Sequence, residues 1–252
     1  IPIILPRREM MPVSRGRLPL ITWADHVARW RDCHRCPLGD QRSSIVLARG
    51  TVPCDVVFIG EAPGVSEDAI GLPFVGPAGE LLDNDYENKP GIIQRALATR
   101  LVWSDAKKSN VWVVDVTYAL INLVACFPRE AKLFGNNEPT PDEIRACRPR
   151  LTEFVNIARP RLVVRVGKLA TAWVDYEKGV RYVDIVHPSY ILVRMPLAQR
   201  QMAVNKSIVI IRSAIADMVE SNCREFTNWR CEHAGSSSSH GHSVAYDPTI
   251  PF

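Results

Sequence analysis

Four short apolar runs constrain this chain most: CDVVFIG at 54–60, VWVVDV at 111–116, RLVVRVG at 161–167 and VRYVDIV at 180–186. Each is six or seven residues long and apolar nearly throughout, the pattern of a strand covered on both faces. Between and after them lie stretches with helical periodicity at 91–101, 141–157 and 168–176, and a last one from Leu197 to about Glu220. Strand and helix alternate, which predicts an α/β fold: a three-layer α/β/α domain with a central, mostly parallel four-stranded sheet. Ligands of such sheets gather beyond the carboxyl ends of the strands, so the loops after Gly60, Val116 and Val186 are the places for chemistry.

Trp23, Val27 and Trp30 stand at helical spacing behind Thr22, an N-cap residue, predicting a short helix that delivers the chain to Cys33. The reading divides the chain into an N-terminal extension (1–21), one domain (22–221) and a polar, flexible C-terminal tail (222–252) with a four-serine run. With 46% hydrophobic and 23% charged residues, wholesale disorder is excluded. No apolar run approaches the roughly 20 residues a membrane span needs, so a cytoplasmic protein without membrane attachment is expected. The net charge of +4 permits a DNA partner only through a local basic patch.

Seven cysteines cannot form a closed disulfide set, which turns attention to metal chemistry. Cys33 and Cys36 form a C-x2-C pair, and Cys126 and Cys147 bracket a loop rich in Pro and Asn. A zinc ribbon would present its second pair after a short interval, whereas an iron–sulfur cluster needs its ligands only to meet in space. Spacing leaves both open. Cys54 reads as core. Cys223 and Cys231 stay unassigned, and the histidines after them read as part of a solvated tail.

The first strand runs into Gly60-Glu61-Ala62-Pro63-Gly64, then Glu67 and Asp68, then GLPFVGPAG at 71–79. Glycine and proline at this density build a rigid loop whose backbone can approach a ligand closely. The order is neither G-x-G-x-x-G nor that of a phosphate loop, so no nucleotide cofactor is expected. Glu61 and Glu67 are candidates to position a water molecule, or else they cap the next helix. Phe74 is suited to stacking on a flat ring, or else to core packing.

The stretch VVFIGEAPGVSEDAIGLPFVGPAGELLD resembles the first motif of the iron–sulfur uracil-DNA glycosylases, family 4 of that superfamily. Cys33 to Leu38, Asn122 to Cys126, PTPDEIRAC ending at Cys147, and His187-Pro188-Ser189-Tyr190 resemble the family's other motifs, in order, over about residues 23–215. The resemblance implies a 4Fe–4S cluster on Cys33, Cys36, Cys126 and Cys147, and a monofunctional DNA glycosylase that flips a pyrimidine out of DNA. It implies Phe74 and Ala62 against the base, Asn122 reading its edge, His187 stabilising charge on O2, and Glu61 or Glu67 holding the attacking water. It places Ser189, Tyr190 and Arg194 in a minor-groove loop. Arg145, Arg148, Arg150, Arg159 and Arg161 are candidates for phosphate contacts or a solvated helix face.

Two segments, 84–110 and 127–138, exceed the family pattern beside the expected pocket. They keep open a bulkier modified pyrimidine of phage DNA as the substrate, and with it an antiphage role. A catalytically silent iron–sulfur DNA-binding module is the other alternative. A monomer is expected, since no long heptad or apolar edge announces a partner.

Overall fold

The computed structural model describes residues 21–83, 89–104, 109–114, 116–128 and 138–232. Its strands are β1 (Ala48–Gly50), β2 (Val56–Gly60), β3 (Ala98–Ser104), β4 (Ser109–Val114), β5 (Tyr118–Asn122), β6 (Leu162–Val166) and β7 (Arg181–Ile185). Its helices are α1 (Trp23–Trp30), α2 (Leu38–Gln41), α3 (Val65–Ile70), α4 (Pro77–Asp83), α5 (Ile92–Leu97), α6 (Pro141–Ala158), α7 (Lys168–Trp173), α8 (Pro188–Val193) and α9 (Leu197–Glu232).

Because β2 is buried along its whole length, its side chains must find apolar partners on both faces of the sheet. Val56 and Phe58 point into a core cluster shared with Leu82 of α4, Ile93 of α5 and Ile211 of α9. Val57 and Ile59 point the other way, toward Trp30 of α1 and Phe154 of α6. The sheet is the middle layer of three. Its order is β1-β5-β2-β6-β7; the last four strands are parallel, and β1 pairs antiparallel with β5 at one edge.

The α/β expectation holds, with four differences in detail. The central sheet has five strands in place of the expected four, because the three-residue β1, too short to show a period, adds an antiparallel edge. The run at 111–116 lies largely in β4, which pairs with β3 in a separate two-stranded sheet, and the fourth parallel strand is β5 instead. From Val111 to Cys126 the sequence is almost continuously apolar, so periodicity does not say which five residues join the core sheet. The helix expected over 91–101 ends at Leu97, where a segment containing Thr99, Val102 and Trp103 becomes β3. Helix α9 continues past 222, into the segment expected to be a flexible tail; no Gly or Pro interrupts the sequence between Leu197 and Glu232. Residues 1–20 and 233–252 lie outside the described residues.

Both helices that bring cysteines to the domain start on capping boxes. Thr22 and Asp25 close the first turn of α1, and Thr140 and Glu143 that of α6, with Pro141 opening the helix. Midway along α6, Arg150 is fully buried. Its guanidinium donates to the carbonyls of Leu47 and Leu123, each at 3.1 Å, and to that of Asn122. Arg150→Met keeps the aliphatic stem but strands three buried acceptors. At about 1 kcal/mol or more for each, urea denaturation should show a loss on the order of 3 kcal/mol.

Candidate functional site

The carboxyl ends of the parallel strands carry the predicted residues to one edge. Gly60 closes β2 and pairs in register with Asn122, which closes β5; the Leu123 N–H donates to the Gly60 carbonyl at 2.9 Å. A Cβ on Gly60 would collide with Asn122 Oδ1 and with Phe74 Cζ. The missing side chain is therefore what lets an amide edge and an aromatic ring meet over one point of backbone. Asn122 and Phe74 are both buried.

Phe74 holds the left-handed conformation, φ +57°, which for a residue with a Cβ costs roughly 1–2 kcal/mol. Its carbonyl lies where a Cβ of Gly79 would be, so α4 packs directly on this strained peptide. The buried Glu67 ties the surrounding loops together. One carboxylate oxygen accepts from Gly64 N–H at 2.9 Å, and the other from Val75 N–H and Gly76 N–H, both at 2.9 Å. Of the two readings the sequence allowed for Glu67, this geometry matches capping and bracing of the loop.

Glu61 differs. It is half-buried at the end of the strand, and burial, reinforced by the negative charge of Glu138, pushes its carboxyl up to about 7. It changes charge near neutral pH. Ala62, next along, is half-buried and packs against the α1 and α6 side of the core.

His187 follows β7 and caps α8. Its Nδ1 accepts from the Ser189 backbone N–H at 3.2 Å and lies 2.7 Å from Ser189 Oγ. An amide can only donate, so Nδ1 bears no proton and the ring's single N–H is on Nε2. Burial lowers the imidazole to about 4, against the opposing pull of Glu67. His187 is thus a neutral donor. A Cβ on Gly167 would stand 2.9 Å from His187 Cβ, so the end of β6 is also cleared for the pocket.

Tyr190 and Arg194 are exposed on and after α8, and Ser189, also exposed, is engaged with His187. Most of the proposed phosphate-binding arginines are otherwise occupied. Arg150 is buried, Arg161 donates to the Met218 carbonyl at 2.6 Å, Arg148 pairs with Asp175, and Arg145 pairs with Asp142 at 2.7 Å beside Trp173. Arg159 is exposed at the end of α6.

Cys33, Cys36, Cys126 and Cys147 line one small cavity on the α1 and α6 side of the sheet, next to Arg150. Cys36 and Cys126 both feel the charge of neighbouring cysteine thiols. Burial first, then that repulsion, raises Cys36, and the same two effects outweigh the adjacent Arg42 to push Cys126 up to about 11. Arg42 Nη1 lies 3.4 Å from Cys126 Sγ. Among the described residues no three His, Cys, Asp or Glu side chains are grouped tightly enough to hold a metal ion.

The model of the uracil DNA glycosylase superfamily matches residues 49–207, from β1 into α9. This chain belongs to the uracil DNA glycosylase superfamily. It is 33% identical over 155 residues to the type-4 uracil-DNA glycosylase of Saccharolobus solfataricus, covering 62% of this chain and 60% of that protein. It is 29% identical over 180 residues to the Thermotoga maritima type-4 enzyme, covering 65% of this chain and 80% of the relative. With the Archaeoglobus fulgidus type-4 enzyme it shares 26% identity over 197 residues, covering 69% and 85%. The chain thus spans about three fifths of the Saccharolobus protein's length.

In this superfamily member, two pocket residues escaped the reading of the sequence. Gly167 was visible only as the end of an apolar run, and Glu138 sat inside a segment with no motif. The His187 geometry makes a testable statement. Nitrogen-edited NMR should find its ring neutral, with the proton on Nε2, down to a pH near 4. Since an unfolded histidine takes its proton near 6.5, His187 stabilises the fold fully above that pH and loses this contribution as pH falls toward 4.

Proposed function

We propose that the protein is a monofunctional DNA glycosylase that flips a uracil or modified pyrimidine out of DNA and hydrolyses its N-glycosidic bond, leaving an abasic site. The observation that carries the reading is that Asn122 and Phe74 come together over Gly60 at the end of β2, while the neutral His187 stands beside Gly167 at the end of the neighbouring strand β6. The type-4 uracil-DNA glycosylases among its relatives point the same way.

Phe74 stacks on the extruded base, and the Asn122 amide, with donor and acceptor in one plane, reads its Watson–Crick edge. As the bond from C1′ to N1 breaks, its electron pair moves onto the base and negative charge grows on O2. His187 Nε2–H donates to that oxygen, and as a neutral donor it need not surrender a proton to do so. The sugar becomes cationic. Glu61, as a carboxylate, holds a water whose oxygen bonds to C1′ and takes up the proton released. Ala62 lies against the base, and Ser189, Tyr190 and Arg194 support the flipped strand from the minor groove.

Cys33, Cys36, Cys126 and Cys147 hold a 4Fe–4S cluster in this reading. Their chemistry fits: four soft sulfur donors around one cavity, with Arg42 and Arg150 beside them. A cluster held by these four cysteines would cross-link the segment after α1, the segment after Asn122 and α6. Iron and sulfide analysis of the purified protein should find both, and Cys147→Ser should lose iron and lower the melting temperature.

Activity is tested with labelled DNA containing one uracil, followed by alkali. Strand cleavage at that position is expected, with a loss of about 100-fold or more in His187→Ala, the scale of removing a donor to developing charge. The rate should fall as pH drops below about 7, where Glu61 takes up a proton, and Glu61→Gln should abolish that dependence along with most activity.

Glu138 favours one second reading. Its charge reaches Glu61, so the last residue of the enlarged segment after Cys126 lies near the end of β2. An added carboxylate there, absent from the family pattern, suits a bulky modified pyrimidine of phage DNA, as in an antiphage enzyme. Free-base release from hypermodified phage DNA, without cleavage at uracil, would select this substrate. A folded, iron-containing protein that releases neither base would instead be a silent DNA-binding module.

A further inference from the structure

Arg49 belongs to no motif. It lies on the edge strand β1, paired in register with Leu120 of β5, and its guanidinium reaches the loop that carries the stacking ring. Nε donates to the Pro73 carbonyl at 2.7 Å and Nη2 to the Phe74 carbonyl at 3.1 Å. The remaining nitrogen, Nη1, donates to Asp83 Oδ2 at 2.6 Å, and the other oxygen of Asp83 accepts from the Tyr118 hydroxyl at 2.7 Å. Asp83 is buried at the end of α4, and Tyr118 opens the strand that Asn122 closes.

We infer that Arg49 is a positioning residue for base recognition: it clamps the Pro73 and Phe74 carbonyls so that the ring stays at the height set by Asn122. Three features converge on this. Phe74 has a left-handed backbone that relaxes unless something holds it. The two carbonyls that define that backbone are both captured by one planar fork, which a lysine ammonium cannot reproduce. The fork is itself fixed by Asp83 and Tyr118, so the ring is referred to the same strand as the edge-reading amide. An ion pair serving stability alone would need only Asp83.

The inference rests on the glycosylase reading, and one binding experiment separates the two. Affinity is measured for duplex DNA carrying 2′-fluorodeoxyuridine, which resists cleavage, and for the same duplex carrying a tetrahydrofuran abasic site. Wild type should prefer the base-containing DNA. Arg49→Gln and Arg49→Lys should each lose about tenfold of that preference, the scale of one base stacked on an aromatic ring, while abasic affinity stays within about twofold. Adding either change to Phe74→Ala should cost nothing further. Retention of the base preference in Arg49→Lys, which keeps the charge facing Asp83, would overturn the positioning role. So would parallel loss for both DNAs in the two variants. A wild type indifferent to the base would overturn the uracil form of the glycosylase reading, and Arg49's role in holding Phe74 for it.

Discussion

A guanidinium buried among three carbonyls joins the two halves of this molecule. Arg150 comes from α6, three residues after Cys147, and its acceptors are Leu47, just before β1, and the Asn122–Leu123 turn where β5 ends. Cysteine helix, edge strand and pocket floor therefore share one set of hydrogen bonds. Carbonyls buried at a strand end have no ladder partner and must be satisfied somehow. Supplying that need from a helix interior fixes the helix against the sheet at a single height.

The arrangement over Gly60 follows from that fixed point. With Asn122 set, β2 must end in a residue without a side chain, and Phe74 must turn its backbone into an unfavourable region to bring its ring over Gly60. Glu67 and Arg49 both hydrogen-bond the loop backbone, and Arg49 is anchored in turn by Asp83. Strain at one residue is held in place by several polar contacts around it.

Much of this was legible in the sequence for a definite reason. Double-sided burial leaves unbroken apolar runs, and β2 and β6 stood out accordingly, whereas β7, an edge strand with Arg181 and Asp184 exposed, was marked by its valine and isoleucine content. The loop after Gly60 announced itself through glycine and proline density. Other features have no such signature. β1 is three residues long, too short to show a period, so its Arg49 went unread. β5 follows β4 within one apolar run, so apolar content alone does not separate the hairpin strand from the core strand. Glu61 and Glu67 look alike on paper; only the three N–H groups converging on Glu67 distinguish a brace from a carboxyl available to a water molecule. Arg150 reads as one more cation on a charged helix until its surroundings are known.

The unprotonated Nδ1 of His187 has an electrostatic corollary. A cationic imidazole would place positive charge close to a sugar that is itself becoming positive, and would repel the species the pocket must favour. An uncharged ring supplies a donor to the departing base at no such cost. Glu61, at the end of β2, is anionic above about pH 7 and feels the charge of Glu138. Under the glycosylase reading the site polarises the reaction by its layout, with a donor on the base side and carboxylates on the sugar side.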